Sequence, residues 1–178
     1  AGVIHQPFVN HAGEPSSDPK CAGRTLWCGY NMAVWSSPGR NVSLATRVPR
    51  LAPADPANLR VATTRSHPGP ANEKAIESLA PAEVVRAGGA GGKVALILDG
   101  RVDAWIFPQK GTKRWDTCAG EALLRAHHGC FLPQPGRTSA PVGVMWLWLD
   151  HPAPIRVIWP GPPVQHVVSV PQRVIGLL

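Results

Sequence analysis

Three short stretches hold residue types suited to gripping phosphate. In Gly88-Gly89-Ala90-Gly91-Gly92-Lys93, glycines let the backbone come close to an anion, and Lys93 adds a full positive charge. A helix starting there would aim unpaired N–H groups and its positive dipole end at the same point. The stretch is neither a P-loop, which would need Gly at Ala87 and Ser or Thr at Val94, nor a G-x-G-x-x-G fingerprint, whose sixth place is also Val94. Thr63-Thr64-Arg65-Ser66-His67 puts hydroxyls, a guanidinium and an imidazole where a strand runs into the Pro68-Gly69 turn. That is material for holding a phosphate together with a base edge or ribose. In Lys113-Arg114-Trp115-Asp116-Thr117-Cys118-Ala119, Asp116 is the only acid between Asp103 and Glu121. A carboxylate there either caps a helix or ligates a metal. Taken one at a time, the three read more plainly as a flexible turn, a solvated loop start and an N-cap.

The elements that must position these stretches follow from proline and periodicity. Residues 1–70 carry nine prolines, residues 71–130 two and residues 131–178 nine, so long helices belong to the centre. Gly2 to Phe8 reads as a strand and residues 10–23 as a loop. Thr25 to Trp35 reads as a strand or a hairpin around Gly29, residues 36–58 as connection, and Leu59 to Thr64 as a short strand. Ala71 to Leu79 reads as helix, and Pro81 to Arg86 as a second short helix with proline in its first turn. Val94 to Leu98 fits helix or strand, and Val102 to Phe107 reads as strand. Asp116 is placed as an N-cap, with Ala119, Ala122, Leu123 and Ala126 on one helical face. Beyond residue 130, the apolar segments 142–149, 155–159 and 164–170 are candidate strands separated by prolines.

Composition bounds the partners. The 178 residues carry a net charge of +7 with only 16% charged residues, against a usual ~25%, so the basic balance comes from scarce acids. That favours small anionic ligands over nucleic acid. The longest apolar run, Val142 to Leu149, falls short of the ~20 residues of a membrane helix. No signal peptide is visible, and Cys21, Cys28, Cys118 and Cys130 are too few for a disulfide scaffold. Cys118, His127, His128 and Cys130 fit no standard zinc spacing. The expectation is unpaired thiols in a reducing, cytoplasmic setting.

The three stretches are linked by a resemblance. Trp115-Asp116-Thr117-Cys118-Ala119, followed by Glu121-Ala122-Leu123-Leu124-Arg125-Ala126, resembles the second signature of the lithium-sensitive, magnesium-dependent phosphomonoesterases that include inositol monophosphatase. Three further stretches resemble the 3′(2′),5′-bisphosphate nucleotidases within that superfamily: Thr63 to His67, Gly88 to Lys93, and Ile106-Phe107-Pro108 leading through Gly111-Thr112-Lys113 to Asp116. Gly2 to Phe8 and Gly23 to Trp27 are also similar. The likeness runs in order from residue 1 to about 126 and is weakest at 30–58.

The resemblance implies an α/β fold, of which this chain supplies the C-terminal part of a layered sandwich over residues 1–130. Residues 131–178 form a divergent, proline-rich tail that it does not cover. It implies that Asp116 binds Mg²⁺ and that Thr64, His67, Gly89 and Lys93 contact the nucleotide. The implied reaction removes the 3′-phosphate of 3′-phosphoadenosine 5′-phosphate to leave AMP, by in-line attack of an activated water while magnesium neutralises developing charge. The family's Asp-Pro-x-Asp-Gly-Thr motif is not in this sequence: Asp18-Pro19-Lys20-Cys21 and Asp55-Pro56-Ala57-Asn58 both lack the second aspartate. The expectation is therefore a piece of a longer chain, without catalytic residues of its own and inactive alone. An inositol phosphate phosphatase and a non-catalytic nucleotide-binding remnant are the alternatives.

Overall fold

The computed structural model describes residues 1–18, 20–51, 54–66, 68–108 and 112–127, and beyond them the backbone of four short strands. Strands β1 (Gly2–Gln6), β2 (Arg24–Cys28), β3 (Trp35–Pro38) and β4 (Thr46–Arg47) form an antiparallel sheet in sequence order. A mixed sheet follows, built from β5 (Arg60–Thr64), β6 (Glu83–Ala87), β7 (Ala104–Phe107), β8 (Cys130–Pro133) and β9 (Val144–Leu147) in the order β6-β5-β7-β9-β8. Its β6, β5 and β7 are parallel, and β9 pairs antiparallel with both β7 and β8. Strands β10 (Arg156–Trp159) and β11 (His166–Ser169) pair as a separate antiparallel ribbon. Helices α1 (Pro70–Leu79), α2 (Ala90–Leu98) and α3 (Arg114–Ala126) complete the order.

The layers follow from strand alternation, which sends successive side chains to opposite faces. Along β5 and β7, Ala62 and Trp105 turn to one face, while Val61, Ala104 and Ile106 turn to the other. The first set joins Val94, Ala95, Ile97 and Leu98 of α2, Leu123 and Leu124 of α3, and Leu26 and Cys28 of the antiparallel sheet in one core. The second set packs with Ala75 and Leu79 of α1. Helices α2 and α3 therefore lie between the two sheets, and α1 covers the far face of the mixed sheet. Each fully buried leucine here stabilises this packing by about 1.5–3 kcal/mol. The chain thus has the layered α/β architecture that the resemblance implies.

Helix α3 sits very close to its neighbours. A Cβ built on Gly2 of β1 would lie 2.6 Å from the Ala119 carbonyl oxygen, and one on Gly120 would lie 2.7 Å from Val94 Cγ2. Only glycine fits at either contact without movement.

Three readings of the sequence differ from the structure. Pro81 to Arg86 is not a helix. Residues 83–87 form β6, in parallel register with β5 from Arg60↔Glu83 to Thr64↔Ala87, and this pairing overrides local helix propensity. Residues 36–58 are more than connection, because they hold most of β3, all of β4 and 3₁₀ turns at Val42–Leu44 and Pro56–Asn58. Asp116 is not the N-cap. It is the third residue inside α3, and its Oδ2 accepts from the backbone N–H of the capping residue Lys113 at 2.8 Å. The ambiguous Val94 to Leu98 is helical, as part of α2.

Candidate phosphate-binding edge

The three stretches fall on one edge of the mixed sheet. Strands β5, β6 and β7 run parallel, and each feeds a helix from its carboxyl end: β5 into α1, β6 into α2 and β7 into α3. Adjacent β5 and β6 send their chains to opposite faces, because α1 and α2 cover different sides. Such a reversal leaves a crevice outside the carboxyl ends of the two strands, the usual ligand position in open α/β sheets.

Thr64 ends β5 in that crevice. It is buried, pairs with Ala87 of β6, and lies two residues beyond Ala62, on the α2 side of the sheet. Gly89 is the N-cap of α2, with φ +67° and ψ 146°. Among the described residues no atom lies within 4 Å of a Cβ built on it, so the backbone conformation requires glycine there, and crowding does not. No side chain among the described residues caps α2, which leaves its first N–H groups and positive dipole end available to an anion.

Lys93 lies one turn into α2 and is 4% exposed. Its Nζ donates to the Gly89 carbonyl at 3.0 Å and sits 5.3 Å from the centre of the Trp105 ring. Among the described residues no carboxylate pairs with it. Burial pushes its pKa down from 10.5 to about 8, because desolvation penalises the charged form. A buried, half-compensated ammonium beside an open helix start is a good anion partner.

Asp116 lies in the first turn of α3, exposed, on the same edge. Among the described residues its carboxylate bonds only to the Lys113 N–H, through Oδ2, so Oδ1 remains available. The structure thus joins Gly89 and Lys93 directly and sets Thr64 on the strand beside them. Asp116 comes to the same edge through the contact between α2 and α3, without a bond to Gly89 or Lys93. His67 lies outside the described residues. Trp105, the floor beneath Lys93, was not singled out from the sequence, where a tryptophan inside an apolar strand reads as core.

The metal implied by the resemblance is only partly accommodated. No group of three or more His, Cys, Asp or Glu among the described residues could hold a metal ion. Magnesium is commonly held by one or two carboxylates with phosphate and water. Asp116 can supply one such ligand but does not make a metal centre. Cys21, Cys28 and Cys118 are free thiols, and no helix among the described residues is long and apolar enough to cross a membrane.

The architecture is that of a phosphatase family: the model of the inositol monophosphatase family matches residues 1–154, and the chain is a member of it. Within the family it is 35% identical over 129 residues to 3′(2′),5′-bisphosphate nucleotidase 1 of Dictyostelium discoideum, covering 72% of this chain and 39% of that one. It is 31% identical over 129 residues to the protein of the same name from Homo sapiens, covering 72% and 37%. Inositol polyphosphate 1-phosphatase of Bos taurus is 30% identical over 135 residues, covering 72% and 33%. The chain therefore spans less than two fifths of the length of these relatives. Among solved structures, CysQ from Bacteroides thetaiotaomicron shares the fold at a TM-score of 0.57 and 19% identity, over 71% of this chain and 54% of that one.

Proposed function

We propose that this chain is the nucleotide-binding, C-terminal portion of a cytoplasmic, magnesium-dependent 3′(2′),5′-bisphosphate nucleotidase, which removes the 3′-phosphate of 3′-phosphoadenosine 5′-phosphate to give AMP. The observation that carries this reading is that Gly89 and Lys93, bonded to each other, open α2 near Thr64 at the end of β5, with Asp116 in the first turn of α3 at the same end of the sheet. Thr64 and His67 are assigned to the nucleoside, and Gly89 with Lys93 to a phosphate. Asp116 contributes one carboxylate to a divalent cation, which when bound offsets negative charge on the phosphoryl oxygens. Naming of similar relatives as bisphosphate nucleotidases supports the choice of substrate.

With one metal-ligating carboxylate and no assigned base, this chain is expected to bind the nucleotide without turning it over. The test incubates it with 3′-phosphoadenosine 5′-phosphate and Mg²⁺, follows phosphate release, and measures displacement of the bound bisphosphate by AMP and by inositol 1-phosphate. Displacement by AMP with no phosphate release is the expected result. Family-like turnover would overturn the assignment of an incomplete site, and preferential displacement by inositol 1-phosphate would overturn the nucleotide.

A further inference from the structure

Arg65 has no role in the assignment above, yet it is built into the same crevice. Its backbone N–H donates to the Ala87 carbonyl at 3.1 Å, which carries the β5–β6 pairing one step past the end of β5 and fixes where its side chain starts. The guanidinium lies against the glycine step before α2: a Cβ on Gly88 would stand 3.3 Å from Nη2 and 3.9 Å from Cζ. Arg24, Arg60, Arg86 and Arg125 each hold an Asp or Glu at 2.7–3.1 Å. The exposed Arg65 guanidinium holds none among the described residues. Its five donors, the first N–H groups of α2 and the Lys93 ammonium border one glycine-lined step, where a planar fork matches a phosphate.

The strand order separates this step from Asp116. The glycine step follows β6, Asp116 follows β7, and β5 lies between them. The glycine step opens α2 and Asp116 sits in the first turn of α3, and among the described residues no hydrogen bond joins the two. Two separate anchor points at two helix starts suit two phosphates on one ribose. We propose that Arg65 is a specificity-determining residue that grips the phosphate which is not cleaved, so that the site selects nucleotides carrying a 5′-phosphate. This rests on the nucleotidase reading above.

The experiment is calorimetric titration of the chain and its Arg65→Gln and Arg65→Lys variants with AMP, adenosine 3′-phosphate and adenosine, at fixed low salt and pH 7. Loss of a charge-assisted, forked contact should weaken AMP at least about tenfold in the glutamine variant, with the lysine variant in between. Adenosine 3′-phosphate and adenosine should be unaffected, and thermal midpoints should match because the side chain is exposed. Unchanged AMP affinity in Arg65→Gln, or equal loss for all three ligands, overturns the proposal while leaving the nucleotide site intact. A parent chain that binds none of the three overturns the nucleotidase reading and this inference with it.

Discussion

The two edges of the parallel strands handle charge in opposite ways. At the amino edge two ion pairs tie elements together, although the exposed Arg101 there has no carboxylate partner among the described residues. Arg60, the first residue of β5, donates through its backbone N–H and Nε to Asp103 Oδ2 at 2.8 and 3.1 Å, and through Nη2 to Oδ1 at 2.7 Å. Asp99, at the end of α2, receives both Nη atoms of buried Arg24 at 2.8 and 2.9 Å, and Gln6 Oε1 accepts from the same guanidinium. At the carboxyl edge, no carboxylate pairs with the side chains of Arg65, Lys93, Lys113 and Arg114 among the described residues. The exposed Arg86–Glu73 pair lies toward α1. Paired charge holds elements together, whereas an excess of unpaired cations beside the single carboxylate of Asp116 favours an anionic ligand.

The strongest challenge to this contrast is Arg24→Met. It would leave the Asp99 carboxylate and Gln6 facing an apolar chain, and should cost about 3–5 kcal/mol in urea unfolding. A loss near zero would mean that charge pairing does not hold the amino edge.

Lys93→Met should act with the opposite sign. Its folded pKa of about 8 lies below the ordinary 10.5. Below pH 8 the ammonium is charged in both states, and the folded protein carries the cost of burying it. Between about 8 and 10.5 the folded state releases its proton first, so stability rises with pH. The methionine variant should therefore be more stable at pH 7, by up to about 3 kcal/mol, and the gain should vanish toward pH 10.5. Nucleotide binding gives the reverse reading: AMP affinity of the parent should fall about tenfold per pH unit above about 8, while the variant binds weakly and without that slope. Urea curves at pH 7 and 10, with titrations at pH 7 and 9, check both. A destabilised variant would erase the contrast between the edges.

Gly89→Ala sharpens it with a smaller effect. Open space around the Cβ position among the described residues leaves only the backbone, at positive φ with extended ψ, to resist, so the loss should be about 1–3 kcal/mol, read from the thermal midpoint. A much larger loss would point to a steric contact at the helix start.

What could be read beforehand depended on how local its cause is. Leu59 to Thr64 and Val102 to Phe107 declare themselves as strands through β-branched and aromatic residues, and α3 through apolar residues at helical spacing. Strand β6 hid because Pro81 reads as a helix start, while the force that extends Glu83–Ala87 is pairing with β5, more than 20 residues earlier in the chain. Strand β3 hid because Trp-Ser-Ser-Pro has no hydrophobic run, and only β2 and β4 alongside give it a ladder. Glycine and lysine spacing marked Gly89 and Lys93, since both needs are local. The Trp105 floor and the Arg65 fold over Gly88 are meetings of distant segments, which no single stretch records.

Helix α3 is seated through two absent side chains, at Gly2 below and Gly120 beside it. Its height above the sheet is therefore set by bare main chain of the two glycines against the Ala119 carbonyl and the Val94 side chain, and Asp116 travels wherever that helix goes. One added methyl at position 120 would act as a shim, shifting the acid relative to the ammonium on α2 while touching neither. The molecule can thus be retuned from behind, four residues away from the carboxylate.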